Sequence, residues 1–281
     1  MFSKKDIARY YDLSESQYRF FWNLDKSRSL HYGYWDASTK NFHQALLNIN
    51  RILSKKIKIT ATDSVLDAGC GIGGSSLWLA KNIGCKVSGI SVSQKQINTA
   101  NALAIKEGLQ PLVTFEVKDF TNTNFSDNSF DVVWAIESVC HAGDKSAFLK
   151  EAYRLLKNGG RLILADFFKK ENLQGNDALQ IQQWAHGWAV EDFSTKKEFE
   201  KYLYQAGFSK VDIEDATAAI LPSAKKLYRS YFPGIILGFL YRLANGKPAE
   251  TGKKNIDTAC LQYKTLQKNL WRYLIISAEK K

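Results

Sequence analysis

No stretch of this 281-residue chain reaches the roughly 20 consecutive apolar residues that crossing a bilayer requires, although 45% of its residues are hydrophobic. Its first residues, Met1-Phe2-Ser3-Lys4-Lys5-Asp6, lack the apolar core of a secretory signal. Together these absences predict a cytoplasmic protein. Cysteine is scarce too. Cys70, Cys85, Cys140 and Cys260 form no C-x-x-C pair and no set of close, even spacings, which argues against a disulfide scaffold and gives no ligand set, so no metal is expected. Internal repeats and low-complexity tracts are missing as well. What is present is a globular composition with 24% charged residues, enough to bury one large core with a cap. A single domain over 1–281 is the expectation.

The net charge of +11 would suit a nucleic-acid partner if it were spread along one face. It is instead concentrated: from Thr217 onward there are twelve lysines and arginines against three acids, a surplus of nine. The remainder of the chain is nearly neutral.

Strand-like and helix-like segments alternate through the centre. Strands are expected at Ser64 to Asp67, Cys85 to Ile90, Val113 to Val117, Phe130 to Ile136 and Arg161 to Phe167, with a last one from Trp271 to Ala278. Helices are expected from Ser75, from about Gln94 to Glu107 before Gly108, and from Ser146 to Leu156 before Asn158-Gly159-Gly160. Such alternation predicts an α/β fold with a mostly parallel sheet covered by helices on both faces, and ligands on such sheets sit outside the carboxyl ends of the strands. Residues 1–55 and an insertion at about 217–266 are expected to cap that edge, around a core of 56–170 and the remaining sheet elements in 171–281.

The turn Asp67-Ala68-Gly69-Cys70-Gly71-Ile72-Gly73-Gly74 lies between the first strand and the first core helix. Gly69-x-Gly71-x-x-Gly74 spells the dinucleotide fingerprint, but a nicotinamide cofactor also wants an acid about 20 residues on for its ribose, and the second strand ends in Ser88-Gly89-Ile90-Ser91-Val92-Ser93. An NAD-binding oxidoreductase is therefore disfavoured. Asp67 points the same way, because a carboxylate at the mouth of the turn repels a pyrophosphate and attracts the ammonium of an amino-acid-bearing cofactor. The glycines allow the backbone close to the ligand, and N–H groups at the helix start can bind its carboxylate.

With Asp67 to Gly74, the elements Gly89-Ile90-Ser91-Val92-Ser93-Gln94-Lys95-Gln96, Lys118-Asp119-Phe120, Ser129-Phe130-Asp131-Val132-Val133-Trp134 and Leu155-Leu156-Lys157-Asn158-Gly159-Gly160 occur in an order and spacing that resembles class I S-adenosylmethionine-dependent methyltransferases. Within that class it resembles the group that includes tocopherol and sterol methyltransferases and cyclopropane fatty-acid synthases, and the resemblance covers nearly the whole chain. It implies a Rossmann-like seven-stranded sheet with an antiparallel last strand, a helical cap from the N-terminus and the late insertion, and S-adenosyl-L-methionine as cofactor. Within the turn the cofactor residues implied are Asp67, Gly69, Cys70, Gly71 and Gly73. Ser91, Val92, Ser93 and Gln96 would line the ribose, Asp119 and Phe120 the adenine, and Ile136 the adenosine. Leu30-His31-Tyr32-Gly33-Tyr34-Trp35 and Tyr10-Tyr11-Asp12 resemble that group's N-terminal lid, with His31 and Tyr32 as candidates for the methionine end.

Methyl transfer is an in-line displacement that chiefly demands alignment, yet a hydroxyl or ammonium acceptor must shed a proton. Glu137, His141 and Asp166, beyond the fourth and fifth strands, are the candidates. Glu137 and His141 share a face if the stretch after Ile136 is helical, and an Asp166-oriented His141 would make a general base. The apolar run 231–241, flanked by Lys225, Lys226, Arg229, Arg242 and Lys247, is open to three readings: the wall of a lipophilic acceptor pocket, a contact with an anionic membrane surface, or a buried helix of the cap. Trp184 and Trp188, at i and i+4, could line the same cavity. The acceptor expected is a small, apolar or aromatic molecule, methylated at O, N or C. A nucleic-acid methyltransferase is the rival that the basic C-terminal region suggests. Against it, Ile136-Glu137-Ser138-Val139-Cys140-His141 contains no Pro-Pro-aromatic element, so no nucleic acid is expected.

Overall fold

The structure is a computed structural model that describes residues 2–22, 24–229 and 250–281, with the side chains of all of these except 14–22, 25 and 250–256. Seven strands, β1 (Ser64–Ala68), β2 (Lys86–Ser91), β3 (Val113–Val117), β4 (Phe130–Ile136), β5 (Leu156–Lys169), β6 (Ser209–Asp215) and β7 (Trp271–Glu279), form one sheet in the order β3-β2-β1-β4-β5-β7-β6. Neighbours from β3 to β5 pair in parallel, and β7 runs antiparallel to both β5 and β6. This is the mostly parallel sheet with an antiparallel last strand that the sequence implied.

Alternation along each central strand divides the core between the two faces. From β4, Val132 and Trp134 join one cluster while Val133 and Ala135 join the other; from β7, Tyr273 and Ile275 part from Leu274 and Ile276 in the same way. The first face is covered by α3 (Phe42–Lys56), α4 (Gly74–Ile83), α5 (Gln94–Glu107) and α7 (Gly175–Gly187), and the second by α6 (Lys145–Leu155) and α8 (Lys196–Ala206). β4 is buried along nearly its full length, as a strand flanked and covered on both sides must be. Each fully buried large apolar side chain, Phe148 and Leu46 among them, contributes about 1.5–3 kcal/mol from area removed from water. Local signals fix the helix ends: Ser93 caps α5 by accepting from Gln96 N–H, and Thr195 with Glu198 forms a capping box on α8.

Several boundaries differ from the expectations. β2 runs one residue later than Cys85 to Ile90. β5 begins at Leu156, where α6 ends, rather than at Arg161. Leu156 pairs with Phe130 and Arg161 with Val132, so residues 157–160, including Gly159-Gly160, form a bulge within the strand instead of a loop before it. The stretch after Ile136 is not α-helical. Glu137 sits in the left-handed region at φ +49° and a single 3₁₀ turn follows at Val139–His141.

The two caps meet over the carboxyl ends of the strands. At the N-terminus these are α1 (Lys4–Trp22), α2 (Leu24–Ser27) and the segment 28–41; from the insertion they are α9, described over 217–229, and α10 (Glu250–Gln267). Ser223 accepts from Gly33 N–H (3.1 Å) and Trp35 Nε1–H (2.9 Å) and donates to the Gly33 carbonyl, while the Tyr32 hydroxyl donates to Gln262 at 2.6 Å. The run 231–241, Arg242 and Lys247 lie outside the described residues. Among those described, no helix is long and apolar enough to cross a membrane.

Candidate active site

A cleft of about 840 Å³, its open mouth included, lies where β1, β2 and β4 end. The glycine turn forms its floor. Gly71, at φ +54°, has a conformation that L side chains rarely adopt, and a Cβ there would meet only Gln96 Nε2 at 4.0 Å, so the turn stays open to the cleft at this point. Gly74 serves another purpose: a Cβ would lie 2.1 Å from the Arg28 carbonyl oxygen, so glycine lets the lid backbone rest directly on the start of α4.

Asp67, at the end of β1, is 2% exposed and its Oδ2 accepts from the Ser76 hydroxyl at 2.6 Å. Burial pushes its carboxyl up to about 6, against the opposing pull of the Ser76 hydrogen bonds. A carboxylate held so far from water gains much from a cationic partner. On the other side of β1, Ser91 Oγ donates to Gln96 Oε1 at 2.7 Å, presenting a hydroxyl and an amide to the cleft. Gly69, Cys70, Val92, Ser93, Phe120 and Ile136 complete this part of the wall.

Three of the residues expected at the cofactor do not line this cleft. Gly73 does not line the cleft but abuts Phe115, whose Cζ would be 2.7 Å from a Cβ. The Asp119 carboxylate is taken up by Lys4 and by the Thr121 N–H and hydroxyl. Burial alone would raise it, but these partners hold it below the ordinary carboxylate value. The ring of Tyr32 is 1% exposed and packs edge-on against Phe167 and Trp188. His31 does line the cleft. Its Nδ1 donates to the Tyr32 carbonyl at 2.9 Å, and burial lowers it to about 4.

Beyond β4, Glu137 and His141 both reach the cleft but on separate paths, because the turn between them is not a helix. Glu137 Oε1 accepts from Tyr32 N–H (2.7 Å) and from the Tyr273 hydroxyl (2.9 Å). Burial lifts its carboxyl to about 8, the two hydrogen bonds pull the other way, and Asp166 adds to the rise. His141 Nδ1 lies 3.4 Å from the Ala189 carbonyl, which can only accept, so Nδ1 carries the proton and Nε2 receives the Tyr11 hydroxyl at 2.8 Å. Burial keeps His141 down at about 4, hence neutral. The expected pairing of His141 with Asp166 is absent. Asp166 is 2% exposed and accepts from the N–H groups of Cys140 (2.9 Å) and Phe167 (2.8 Å), bracing the turn that carries His141 from beneath. Trp184 is likewise internal, fully buried against Phe193 and Trp271, and neither it nor Trp188 lines this cleft.

The sequence reading missed the lid's own lining. Ile7 and Ala8 reach the cleft with Tyr11, on one face of α1, and Arg28, Ser29 and Leu30 do so just ahead of His31. Helical spacing from Tyr11 would have found the first pair. Ser138 was also overlooked: its hydroxyl donates to the Ala68 carbonyl at 2.6 Å and its Cβ fills the place that a Gly69 side chain would take.

A methyltransferase-domain family profile matches residues 66–164, the span from β1 into β5. The chain is 34% identical over 198 residues to 27-O-demethylrifamycin SV methyltransferase of Amycolatopsis mediterranei, covering 70% of this chain and 73% of that protein. The chain belongs to the S-adenosylmethionine-dependent methyltransferases. A probable tocopherol O-methyltransferase of Oryza sativa subsp. japonica is 26% identical over 99% of this methyltransferase and 78% of its own length, in line with the group the motifs resembled. Among solved structures, that of the [4+2]-cyclase SpnF superposes with a TM-score of 0.82 at 22% identity, over 99% of this chain and 97% of that one. A cyclase on the same fold is a reminder that the fold alone does not decide the reaction. Kinship in sequence favours methyl transfer over the nicotinamide and nucleic-acid readings.

Proposed function

We propose that this methyltransferase methylates a hydroxyl of a small, lipophilic or aromatic acceptor, with the whole chain acting as one domain. The observation that carries the reading is the Tyr11–His141 pair at the cleft wall, a phenol hydrogen-bonded to an imidazole that burial keeps neutral. The named acceptors of two relatives, a rifamycin and tocopherol, supply the class. Residues of the cleft fit the cofactor: Asp67 suits its ammonium, N–H groups at the start of α4 its carboxylate, Ser91 and Gln96 its ribose, and Phe120 and Ile136 its adenine and adenosine faces. Bound there, S-adenosylmethionine supplies a methyl carbon already activated by a sulfonium.

Tyr11 accepts the proton of the acceptor hydroxyl and gives its own to Nε2 of His141. The Ala189 carbonyl fixes the tautomer that makes this possible, and Asp166 acts by holding the backbone at Cys140. Lys225, Lys226 and Arg229, exposed on α9 shortly before the apolar run 231–241, support contact with an anionic lipid surface as the source of an apolar acceptor. The test is to incubate the enzyme and methyl-labelled cofactor with lipid and small-molecule extracts, with and without anionic vesicles, and to identify labelled products by mass spectrometry. Labelled ethers that form far more slowly with Tyr11→Phe at unchanged cofactor affinity are expected. Labelled products that are all amines or C-methylated compounds, or a Tyr11→Phe enzyme at full rate, would overturn this reading.

A further inference from the structure

Two acids face one cleft, and the cofactor's ammonium accounts for only one of them. Asp67 stands at the end of β1, in the middle of the cleft floor. Glu137 stands at the end of β4, across β1 from the Ser91 side, so it flanks the amino-acid half of the site rather than the ribose half. Its backbone is held in the left-handed region, with its N–H donating to the Ala165 carbonyl at 2.8 Å. A conformation of this kind is strained for a non-glycine residue, and the residue it holds lines the cleft. The hydrogen bonds that hold it come from a peptide N–H and a phenol, and no ion pair with a lysine or arginine of the described residues compensates it. The titratable groups around it are Tyr273 on β7, Asp166 on β5, Tyr32 and His31 on the lid, Cys140 and His141 beyond β4 and Asp67 on β1, none of them a cation. The cleft lining does include one cation, Arg28, and its guanidinium is paired with Glu107.

We propose that Glu137 is the counter-charge to the donor's sulfonium, so that the site holds the methyl donor in preference to the demethylated product. It rests on the cofactor seat described above, and binding of either ligand tests that seat separately. In the empty enzyme near neutrality Glu137 is mainly the neutral acid; with a carboxyl at about 8, roughly nine-tenths of the molecules carry the proton at pH 7. A positive charge arriving beside it favours the carboxylate, so donor binding expels a proton. S-adenosylhomocysteine has the same ammonium and carboxylate but a neutral thioether in place of the sulfonium, so it favours ionisation of Glu137 far less. After transfer, the electron pair of the broken S–CH3 bond stays on sulfur and the positive charge is gone. Glu137 then returns to rest by taking one proton, balancing the one shed by the acceptor, and the lost attraction speeds product release.

Calorimetric titration at pH 7 in two buffers of different ionisation enthalpy counts the protons directly. Asp67 meets the same ammonium in both ligands, so its contribution cancels in the difference. Close to one more proton should be released on binding S-adenosylmethionine than on binding S-adenosylhomocysteine, and the excess should vanish above about pH 9. Donor affinity relative to product should rise about tenfold per pH unit between pH 6 and 7. Glu137→Gln, which keeps an acceptor for Tyr32 and Tyr273, should abolish the excess proton and weaken the donor about tenfold while leaving the product within about twofold. Equal proton counts in the wild type, or equal losses of both ligands in Glu137→Gln, would overturn the proposal even if both bind. Binding of neither would overturn the cofactor seat and the proposal with it.

Discussion

Replacing Asp67 by asparagine removes a charge from the cleft floor while leaving an amide oxygen for the Ser76 hydroxyl that Asp67 now receives at 2.6 Å. The buried carboxyl sits near 6 instead of an ordinary 3.8, which corresponds to about 3 kcal/mol against ionisation in the empty site. A ligand ammonium reverses that preference, and a charge-assisted hydrogen bond of this kind contributes about 1.5–3 kcal/mol. Asp67→Asn should therefore weaken S-adenosylhomocysteine about 10- to 100-fold, whereas His141→Ala, at the acceptor end, should change it less than threefold. The product is the right probe because its uncharged sulfur leaves Glu137 out of the comparison. pH supplies a second signature. Binding needs the ionised Asp67, so the wild-type affinity should hold above about pH 6 and fall roughly tenfold per unit below it, a dependence that Asp67→Asn should lose. Calorimetric titration from pH 5 to 8 measures both. If Asp67→Asn binds like the wild type, or if His141→Ala costs as much, the division between a donor end and an acceptor end is wrong.

Two further outcomes follow from contacts around the cleft. Gly74→Ala would drive a methyl group into the Arg28 carbonyl oxygen, 2.1 Å away, forcing the lid segment off α4. Limited proteolysis should then cut the N-terminal 30 residues sooner and cofactor affinity should fall, and an unchanged cleavage pattern would contradict the lid contact. The ligand-free enzyme should also lose thermal stability between pH 6.5 and 8. His31 and His141, depressed to about 4, contribute stability that is still rising at 6.5 and complete about one unit higher, so they oppose the decline at the acid end of this window and leave it to Glu137 at the alkaline end. Glu137, raised to about 8, contributes stability that is complete below its ordinary 4.5 and disappears as the pH rises through 8. Scanning calorimetry should find the decline in the wild type and a flatter profile in Glu137→Gln.

The core of the fold was readable because its signals are local and strong. β4 reads as an apolar strand interrupted only by Asp131, and Asp67 with its glycines reads as a turn that welcomes an ammonium. Val113 to Val117 and Phe130 to Ile136 match their strands to the residue. β6 went unnamed in the expected strand list, because an edge strand with no fully buried residue, half-buried and exposed by turns, leaves Ser209–Asp215 looking like polar loop. The bulge at 157–160 was read as a loop for a similar reason, since Asn158-Gly159-Gly160 is turn chemistry used inside a strand. At the acceptor end, spacing misled. Glu137 and His141 are four apart, but Glu137 takes a left-handed conformation that no periodicity reveals, and the partner of His141 came from the lid, 130 residues away, rather than from Asp166. Asp119 was drawn off by Lys4, a long-range ion pair that only the docked lid brings about.

The claim on which everything else depends is that the cleft beneath the lid seats the methyl donor. Hydrogen-exchange mass spectrometry of the intact protein with and without S-adenosylmethionine tests it without knowledge of the acceptor. Slowed exchange in 67–76, 91–96 and 136–141, together with the lid segment 4–31, is predicted. Donor binding that protects other segments while leaving these unchanged would contradict it.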